Sequence, residues 1–336
     1  MNPTLTQTYL QAIEDELRQA VRRAGGPGLD ELQSMLSYHM GWEGEGAGPE
    51  AAGKRIRPLL VLLCSASAGG DWRRALPAAA AVELIHNFSL IHDDIEDNSP
   101  LRRGRPTVWK KWGVPQAVNA GDAMFTLAHL ELLHLEETAS PEIAFRAALI
   151  MQETCLHLTQ GQYLDIAYEN RGDLTLEAYW PMVSGKTAAL IAACAHLGAL
   201  VAGREPGICE AYRQFGRLLG LAFQTQDDLL GIWGDAALTG KSAESDLVSG
   251  KKSLPALYGL SQNGKFARRW AEGPIRPEEV PMLAKLLESE GGRAYALDTA
   301  NELTDQALQA LETAGPKGEA GEALRDLAHK LLNRKG

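Results

Sequence analysis

The chain has 336 residues, of which 45% are hydrophobic, so it can bury a large core, and a generally disordered protein is excluded. Its formal net charge of −10 argues against a protein that binds nucleic acid or anionic membranes over a broad surface. An anionic ligand would have to be bound by local basic clusters or through metal ions.

Helical periodicity runs through the chain, whereas strand signals are nearly absent. The sequence opens with an amphipathic helix, MNPTLTQTYLQAIEDELRQAV, that carries acids and differs from a signal peptide. Apolar helices follow in RPLLVLLCSASAG, ALPAAAAVELIHNFSLIHDDIED and AVNAGDAMFTLAHLELLHLEE, separated by glycine and proline clusters. No polar linker divides the chain. We therefore predict one all-α domain over residues 1–336, built as a single large helical bundle.

No segment is predicted to cross a membrane. The apolar stretch KTAALIAACAHLGALVAG contains Lys186 and His196 and falls short of the ~20 clean apolar residues of a membrane span. The four cysteines lie in apolar helical contexts without a CxxC pair, which is typical of buried thiols in a reducing compartment. We expect a cytoplasmic protein with no stable membrane insertion and no nucleic-acid partner.

A first charged cluster ends an apolar helix, in LIHDDIEDNSPLRRGRPT (residues 90–107). On a helical wheel Asp97 lies about 40° and Asp94 about 100° from Asp93. Two carboxylates one turn apart repel each other, and the C-terminal end of a helix also disfavours acids. Solvated acids at a helix end are the plainer interpretation, but oxygen ligands of this kind suit Mg²⁺, which bridges carboxylates to phosphates. The cluster therefore predicts a magnesium site.

A second acidic motif, FQTQDDLLGIWGD, covers residues 223–235. Asp227 and Asp228 sit together, and Gln224 shares the face of Asp227 at about 60°. Gly231 stands where a third carboxylate would correspond to Asp97, and Asp235 could contribute only if the helix continued past it. A lone acid pair is a weak signal, but two such faces can enclose a cluster of metal ions.

Basic residues near these motifs supply the anion-binding side. GKRIRP contains Lys54 and Arg57, and the pair Arg102-Arg103 follows the first motif. Guanidinium groups bind phosphate bidentately, so arginines beside a metal site favour diphosphate binding. We expect the acids and arginines of the first motif to bind metal and diphosphate rather than each other. Two phosphate sites among apolar helices imply two diphosphate substrates with hydrocarbon tails.

These motifs, with GQYLDIAYE, SGKTAAL and SGKKSLP in order along the chain, resemble those of the trans-isoprenyl diphosphate synthase (polyprenyl synthetase) family, most of all its geranylgeranyl diphosphate synthases. The resemblance covers essentially the whole chain. It implies an all-α bundle around a deep central cavity, a homodimer, and three Mg²⁺ ions per site.

The resemblance also implies roles for individual residues. The metal ligands would be the acids Asp93, Asp94, Asp97, Asp227 and Asp228, which with Arg102 and Lys186 form the catalytic set. The isopentenyl diphosphate pocket would comprise Lys54, Arg57, His86 and Arg103. The allylic diphosphate pocket would comprise Arg102, Lys186, Thr187, Gln224, Lys241 and Lys251, with Gln162 and Asp165 on the helix facing it.

The implied reaction is the head-to-tail (1′-4) condensation of isopentenyl diphosphate with allylic diphosphates (dimethylallyl, geranyl or farnesyl), which releases pyrophosphate. Phe88 and Ser89, five and four residues before Asp93, resemble the chain-length positions of enzymes that make the C20 product, geranylgeranyl diphosphate. The helical wheel places Phe88 about 140° from Asp93, so geometry alone would not select it.

Other functions stay open from the sequence. The product could be farnesyl diphosphate (C15) or a chain of C25 and above. The chain could also be a non-catalytic regulatory subunit, for which Gly231 is the only support. A terpene cyclase would share the acid-rich site but should lack GKRIRP. Because the first motif and the basic residues are complete, we expect an active enzyme.

Overall fold

The computed structural model describes residues 3–169, 171–234 and 246–332. Over these ranges nearly every regular element is a helix, so the predicted all-α fold class is confirmed. Helices α1 to α9 span Pro3–Arg22, Asp30–His39, Pro49–Ala52, Ile56–Ser67, Leu76–Glu96, Val108–Trp112, Val114–Leu133, Leu135–Thr138 and Pro141–Glu169. Helices α10 to α17 span Tyr179–Val183, Ala189–Val201, Pro206–Trp233, Leu254–Ser261, Lys265–Ala271, Val280–Ser289, Gly292–Ala314 and Gly318–Leu332.

Shorter elements complete the described chain. Turns of 3₁₀ helix occupy Trp72–Ala75, Leu176–Ala178 and Pro277–Glu279, and a π-helical segment occupies Ser184–Ala188. Strands β1 (Leu101–Arg102) and β2 (Arg105–Pro106) pair antiparallel directly after α5. Arg103 (φ 52°) and Gly104 (φ 75°) form the turn of this hairpin, which needs positive φ at both positions. The sequence did not predict the hairpin, because each strand is only two residues long.

The chain divides into two compact units, each assembled from separate stretches of sequence. Unit 1 comprises Met1–Gln152, Cys194–Cys209 and Gly315–Leu324, and unit 2 comprises Glu153–Ala193, Glu210–Ala314 and Arg325–Gly336. The prediction of a single domain over residues 1–336 stays a prediction.

In unit 1, α5 is the central helix and packs against α1, α4 and α7. The alanines Ala78, Ala79, Ala80 and Ala81 are fully buried, because a helix enclosed by neighbours on several sides needs small side chains. The end of α11 also approaches α4 closely: a Cβ on Gly198 would lie 2.5 Å from the carbonyl oxygen of Val61. This packing holds α5, and the first acidic motif lies at the C-terminal end of that helix.

In unit 2, one core cluster surrounds Tyr179, Leu221, Leu254 and Leu257. A second contains Phe266 and Leu287, both with no exposed surface. Helix α12 contributes to both clusters, through Leu221 and Ile232. The second acidic motif, which lies on the C-terminal half of α12, is therefore held by buried apolar residues before and after it.

By length and composition, the stretch Leu176–Val201 could cross a membrane. The expectation that no segment is long and apolar enough to do so is therefore wrong. Of its most apolar window, 72% is buried inside the protein, as in the core helix of a globular fold. Cys64, Cys155, Cys194 and Cys209 are all buried free thiols, as predicted.

Candidate active site

The first acidic motif lies at the C-terminal end of α5. The N–H of Asp97 donates to the carbonyl oxygen of Asp93 (2.8 Å), so the two residues are one turn apart, as predicted. The N–H of Ser99 then donates to the carbonyl oxygen of Asp94 (2.9 Å), and Asn98 takes a positive φ of 51°. The helix stops here, and the chain turns into the β1–β2 hairpin.

The hairpin brings Arg102 back to Asp94. Its Nε and Nη2 atoms each lie 2.8 Å from Asp94 Oδ1. The Asp94 side chain is only 2% exposed. Burial raises the pKa of Asp94 to about 6, and the attraction of Arg102 opposes this shift without cancelling it. The expectation that these acids and arginines would not pair is thus wrong for Asp94 and Arg102, because a hairpin this short returns the arginine to the helix end.

Arg103 points from the hairpin turn toward the GKRIRP segment. Its Nη1 donates to the carbonyl oxygen of Ala51 (2.7 Å). Its guanidinium lies over Gly53, where a Cβ would come within 2.7 Å of Arg103 Nη2. Burial lowers the pKa of Arg103. Gly53, the glycine of GKRIRP, therefore leaves room for the guanidinium group of Arg103, which follows the first motif.

Arg57 and His86, both predicted for the isopentenyl diphosphate pocket, are brought together. Arg57 Nη1 lies 3.2 Å from His86 Nε2. Burial, followed by the charges of Arg57 and Arg103, holds the pKa of His86 well below its ordinary value, so the neutral ring accepts this hydrogen bond. Lys54 is exposed. Arg55 lies between Lys54 and Arg57 in the sequence. Its guanidinium group hydrogen-bonds Glu14 and Glu83 inside the protein, so it has a structural role.

Phe88 and Ser89 lie on α5 upstream of the acids. The Phe88 ring packs at 4.9 Å from His92 and at 5.0 Å from Phe125 of α7, and Phe125 continues to His129. Ser89 Oγ donates to the carbonyl oxygen of His86 (2.9 Å). Phe88 is thus one of four aromatic side chains that close the space between α5 and α7.

The second acidic motif centres on Asp228, which is 1% exposed. Its Oδ1 accepts hydrogen bonds from Gln224 Nε2 (3.0 Å) and Lys251 Nζ (3.2 Å). Its Oδ2 accepts hydrogen bonds from the Tyr179 hydroxyl (2.8 Å) and the N–H of Leu254 (3.0 Å). Two donors on each oxygen fill the lone pairs of a carboxylate. Asp228 therefore fixes its neighbours in place, and its predicted role as a metal ligand stays a prediction.

A pocket in unit 2 is lined by four of the residues predicted for the allylic diphosphate, Lys186, Thr187, Gln224 and Lys251, together with Asp165 and Asp228. Lys186 forms an ion pair with Asp165 of α9, and Thr187 Oγ1 donates to Gln224 Oε1 (2.8 Å). Although burial disfavours the charged form, Asp228 and Asp246 raise the pKa of Lys251 above its ordinary value. The predicted set is thus largely assembled around one pocket.

The π-helical segment Ser184–Ala188 places Lys186 and Thr187 in this pocket. A Cβ on Gly161 of α9 would lie 2.1 Å from the backbone nitrogen of Lys186, so the two backbones touch. The extra residue per turn of a π segment redirects side chains and is common at functional sites.

For the remaining predicted residues the structure gives only their burial, or does not describe them. Asp227 is half-buried beside Asp228 on α12, and Gln162 is half-buried on α9. Lys241 and Asp235 lie outside the described residues.

Sequence reasoning missed three contributors. Tyr179 is an aromatic residue among apolar neighbours, so the sequence did not mark it as polar. Its role is visible only in the structure, where its hydroxyl donates to Asp228. Gly53 was missed because GKRIRP was interpreted only through its basic residues. Asp246 lies five residues before Lys251, and that spacing within SDLVSGKK was its only signal.

The first motif fits a hard divalent cation. Asp94 Oδ2 is buried and has no hydrogen-bond partner among the described residues. Asp93 and Asp97 add further carboxylate oxygens one helical turn apart, and oxygen ligands are the type that Mg²⁺ and Ca²⁺ take. In the described part of the chain, however, the side chains do not form a preassembled group of three or more metal-ligating residues. The acids of the first motif would have to turn toward an ion.

Comparisons with known proteins identify the family of this chain. The family model for polyprenyl synthetase matches residues 48–286. A (2E,6E)-farnesyl diphosphate synthase of Mycobacterium tuberculosis is 41% identical over 90% of this chain and 86% of its own length. A geranylgeranyl diphosphate synthase of the same species is 38% identical over 93% of both chains.

Solved structures show the same fold. A polyprenyl synthetase from Streptomyces coelicolor A3(2) superposes with a TM-score of 0.87 at 35% identity and covers 97% of this chain and 98% of its own. A polyprenyl synthase from Caulobacter crescentus CB15, complexed with calcium and isoprenyl diphosphate, has a TM-score of 0.84 at 28% identity over 99% of this chain and 97% of its own. The chain therefore belongs to the polyprenyl synthetase family and is a trans-isoprenyl diphosphate synthase.

Proposed function

We propose that this enzyme makes geranylgeranyl diphosphate (C20) by successive 1′-4 condensations of isopentenyl diphosphate with dimethylallyl, geranyl and farnesyl diphosphates. The observation that carries the chain length is the aromatic cluster of Phe88, His92, Phe125 and His129 between α5 and α7. A prenyl chain growing from the end of α5 toward Phe88 would meet these rings and stop.

Residues of unit 1 bind isopentenyl diphosphate in this proposal. Arg57 is oriented by the neutral ring of His86, and Arg103 is oriented by the carbonyl oxygen of Ala51. Guanidinium groups held in this way lose little conformational entropy when they bind a diphosphate. Lys54, which is exposed, adds a third cation from the same loop.

Residues of unit 2 bind the allylic diphosphate. Lys186 and Lys251 stabilise the negative charge that develops on the leaving pyrophosphate as the allylic C–O bond breaks. Asp165 and Asp228 hold these two ammonium groups in position, and Gln224 links Asp228 to Thr187. The electrons of the isopentenyl double bond then form the new C–C bond, and the departing pyrophosphate takes the proton that is lost.

The divalent metal of this proposal is Mg²⁺, three ions per site. Its ligands are Asp93, Asp94 and Asp97 of the first motif and one of the two predicted acids of the second motif, Asp227 and Asp228. When bound, Mg²⁺ neutralises charge on the allylic diphosphate and so favours departure of pyrophosphate. Asp94 Oδ2, which is buried and has no hydrogen-bond partner among the residues that the structure describes, supports the first set of ligands. Since four donors already occupy Asp228, Asp227 is the acid of the second motif that we place against the metal.

A farnesyl diphosphate (C15) synthase is the second candidate, and the 41% identity to a farnesyl diphosphate synthase favours it. The two candidates differ in whether the cavity accepts farnesyl diphosphate as a primer. Supplying farnesyl diphosphate as the only primer separates them, because a C15 synthase would leave it unextended.

Replacing Phe88 by alanine tests the chain-length proposal. Loss of the ring opens the space between α5 and α7, so we expect Phe88→Ala to shift products beyond C20, measured by chromatography of the dephosphorylated prenols. Tyr295→Ala, which removes one ring of the stacked Tyr258–Tyr295 pair of unit 2, is the matched control and should leave product length unchanged. An unchanged product spectrum from Phe88→Ala would exclude Phe88 as the limit.

We also propose a cytoplasmic homodimer. Helix α9 exposes a row of apolar side chains that a second copy could cover, namely Phe145 (72% exposed), Leu149 (53%), Leu156 (59%) and Tyr163 (69%). Their spacing of four and seven residues keeps them on one side of the helix. Four buried free thiols and the acidic net charge support the cytoplasmic location.

A further inference from the structure

Gly231 is where the second acidic motif lacks its third carboxylate, and the space beside it is already filled by an acid. A Cβ built on Gly231 would lie 2.2 Å from Asp246 Oδ2 and 2.8 Å from Asp246 Oδ1. Heavy atoms cannot approach this closely, so a side chain at position 231 and the carboxylate of Asp246 exclude each other in this arrangement.

Backbone contacts hold Asp246 in that position. The N–H of Asp246 donates to the carbonyl oxygen of Gly231 (3.1 Å), and the N–H of Lys251 donates to the carbonyl oxygen of Asp246 (3.0 Å). The next residue, Leu247, is 1% exposed and packs in the same core cluster as Ile232 of α12. Asp246 and Leu247 are therefore fastened against α12 beside Gly231.

The carboxylate of Asp246 faces the allylic-site lysine. Asp246 Oδ2 lies 3.5 Å from Lys251 Nζ, and Asp228 Oδ1 lies 3.2 Å from the same nitrogen. The Lys251 ammonium is thus held between Asp228 of the second acidic motif and Asp246, which lies outside that motif. The Asp246 side chain is 13% exposed, so little water screens this attraction.

We propose that Asp246 supplies the carboxylate that the second motif lacks at position 231, and that it acts as a positioning residue that holds Lys251 toward the allylic diphosphate. Residue 231 is glycine because this carboxylate needs the space. The proposal rests on the proposed function for the identity of the ligand. The steric exclusion between positions 231 and 246 requires no ligand.

A thermal-unfolding cycle tests the steric part. Gly231→Ala should lower the Tm by a few degrees, on the order of 2–4 °C, because the added methyl collides with Asp246. The same substitution should not lower the Tm in an Asp246→Gly background, where the space is empty, but should still do so with Asp246→Asn, which keeps the volume. Gly207→Ala is the matched control on α12, since a Cβ there meets nothing within 4 Å. Equal effects of Gly231→Ala in all three backgrounds would overturn the steric exclusion.

Moving the carboxylate tests the positioning part. The readouts are the rise in Tm caused by Mg²⁺ with inorganic pyrophosphate, and kcat and KM for the allylic diphosphate. Asp246→Gly and Asp246→Asn should both reduce the rise in Tm and raise KM about tenfold, with a smaller change in kcat. Gly231→Asp combined with Asp246→Gly returns a carboxylate from the helix and should recover most of both losses.

A purely structural role for Asp246 predicts a different result. In that case Asp246→Asn would behave as wild type in the pyrophosphate assay, or the relocated acid would restore neither readout, and either result would overturn the positioning role. Because the Tm measurements need no turnover, a wild-type protein that made no prenyl product would count against the proposed function and not against Asp246.

Discussion

Two glycines make room for two of the cationic residues that we assign to diphosphate binding. Gly53 leaves the space for the guanidinium of Arg103, and Gly161 lets the backbone of Lys186 touch α9. In both cases a methyl group would move a charged side chain that we assign to a diphosphate. Residue-scale predictions therefore concern the glycines as much as the charges.

Gly53→Ala should weaken isopentenyl diphosphate binding. The new methyl would lie 2.7 Å from Arg103 Nη2, so the guanidinium must move and lose its bond to the carbonyl oxygen of Ala51. We expect KM for isopentenyl diphosphate to rise about tenfold, because one charge-assisted contact is worth roughly that factor, with less change in kcat.

Gly69→Ala is the matched control for this change. Gly69 has a positive φ of 93° and nothing near its missing Cβ, so alanine there carries the same backbone strain without a collision. Steady-state kinetics on both variants make the comparison. Equal KM values in the two variants would show that Gly53 serves only the backbone.

Single residues also show how far the sequence could be interpreted. Asp93, Asp97, Arg57 and His86 were identified by motif, and the structure brings the last two together. The Arg102–Asp94 pair was missed, since it depends on a hairpin turn with positive φ at Arg103, and no pattern of side-chain polarity encodes that turn.

At the scale of elements, α1 and α7 share an acid cluster that the active site does not use. The half-buried side chain of Glu16 on α1 lies near Glu131 on α7, which has no exposed surface. Arg23 Nη1 donates to Glu131 Oε2 (2.5 Å), and His134 Nδ1 lies 3.6 Å from Glu131 Oε1. Burial, followed by the effect of the neighbouring Glu131 carboxylate, raises the pKa of Glu16 from 4.5 to about 7.

This cluster predicts a pH dependence of stability. Because the pKa of Glu16 is higher in the folded state, folding binds protons between pH 4.5 and about 7. The contribution of Glu16 to stability is therefore complete below pH 4.5 and is lost as the pH rises through about 7. We expect the Tm to fall from pH 5 to pH 8 less steeply in Glu16→Gln than in wild type.

The surface substitution Glu302→Gln, at an exposed position on α16, serves as the control and should follow the wild-type profile. Parallel Tm profiles for Glu16→Gln and wild type would show that the two glutamates do not share a proton.

Element types were easier to predict than their local distortions. Apolar periodicity identified α4, α5 and α7 as helices, because burial of an apolar face is encoded directly in residue spacing. The π segment at Ser184–Ala188 was not predicted, since it arises from contact between the backbones at Gly161 and Gly185, which lie 24 positions apart in the sequence. Side-chain direction at Lys186 therefore follows from tertiary packing.

At the scale of the whole molecule, the all-α class and the family followed from composition and ordered motifs, and the comparisons confirm both. Within each of the two units, most of the residues assigned to one diphosphate are assembled around local contacts: Arg57 with His86 in unit 1, and Lys251 with Asp228 in unit 2. Composition and motifs did not determine the product length. In our proposal it depends on which of the four rings between α5 and α7 the growing chain meets first.

The measurement that tests the central claim most directly is the product of the wild-type enzyme. Purified protein is incubated with isopentenyl diphosphate, Mg²⁺ and each allylic primer in turn, and chain length is determined by chromatography. We predict geranylgeranyl diphosphate as the main product from all three primers, with release of pyrophosphate that requires Mg²⁺. Farnesyl diphosphate as the end product, with no extension when it is the only primer, would contradict the C20 proposal. Absence of product from every primer would contradict an independently active synthase.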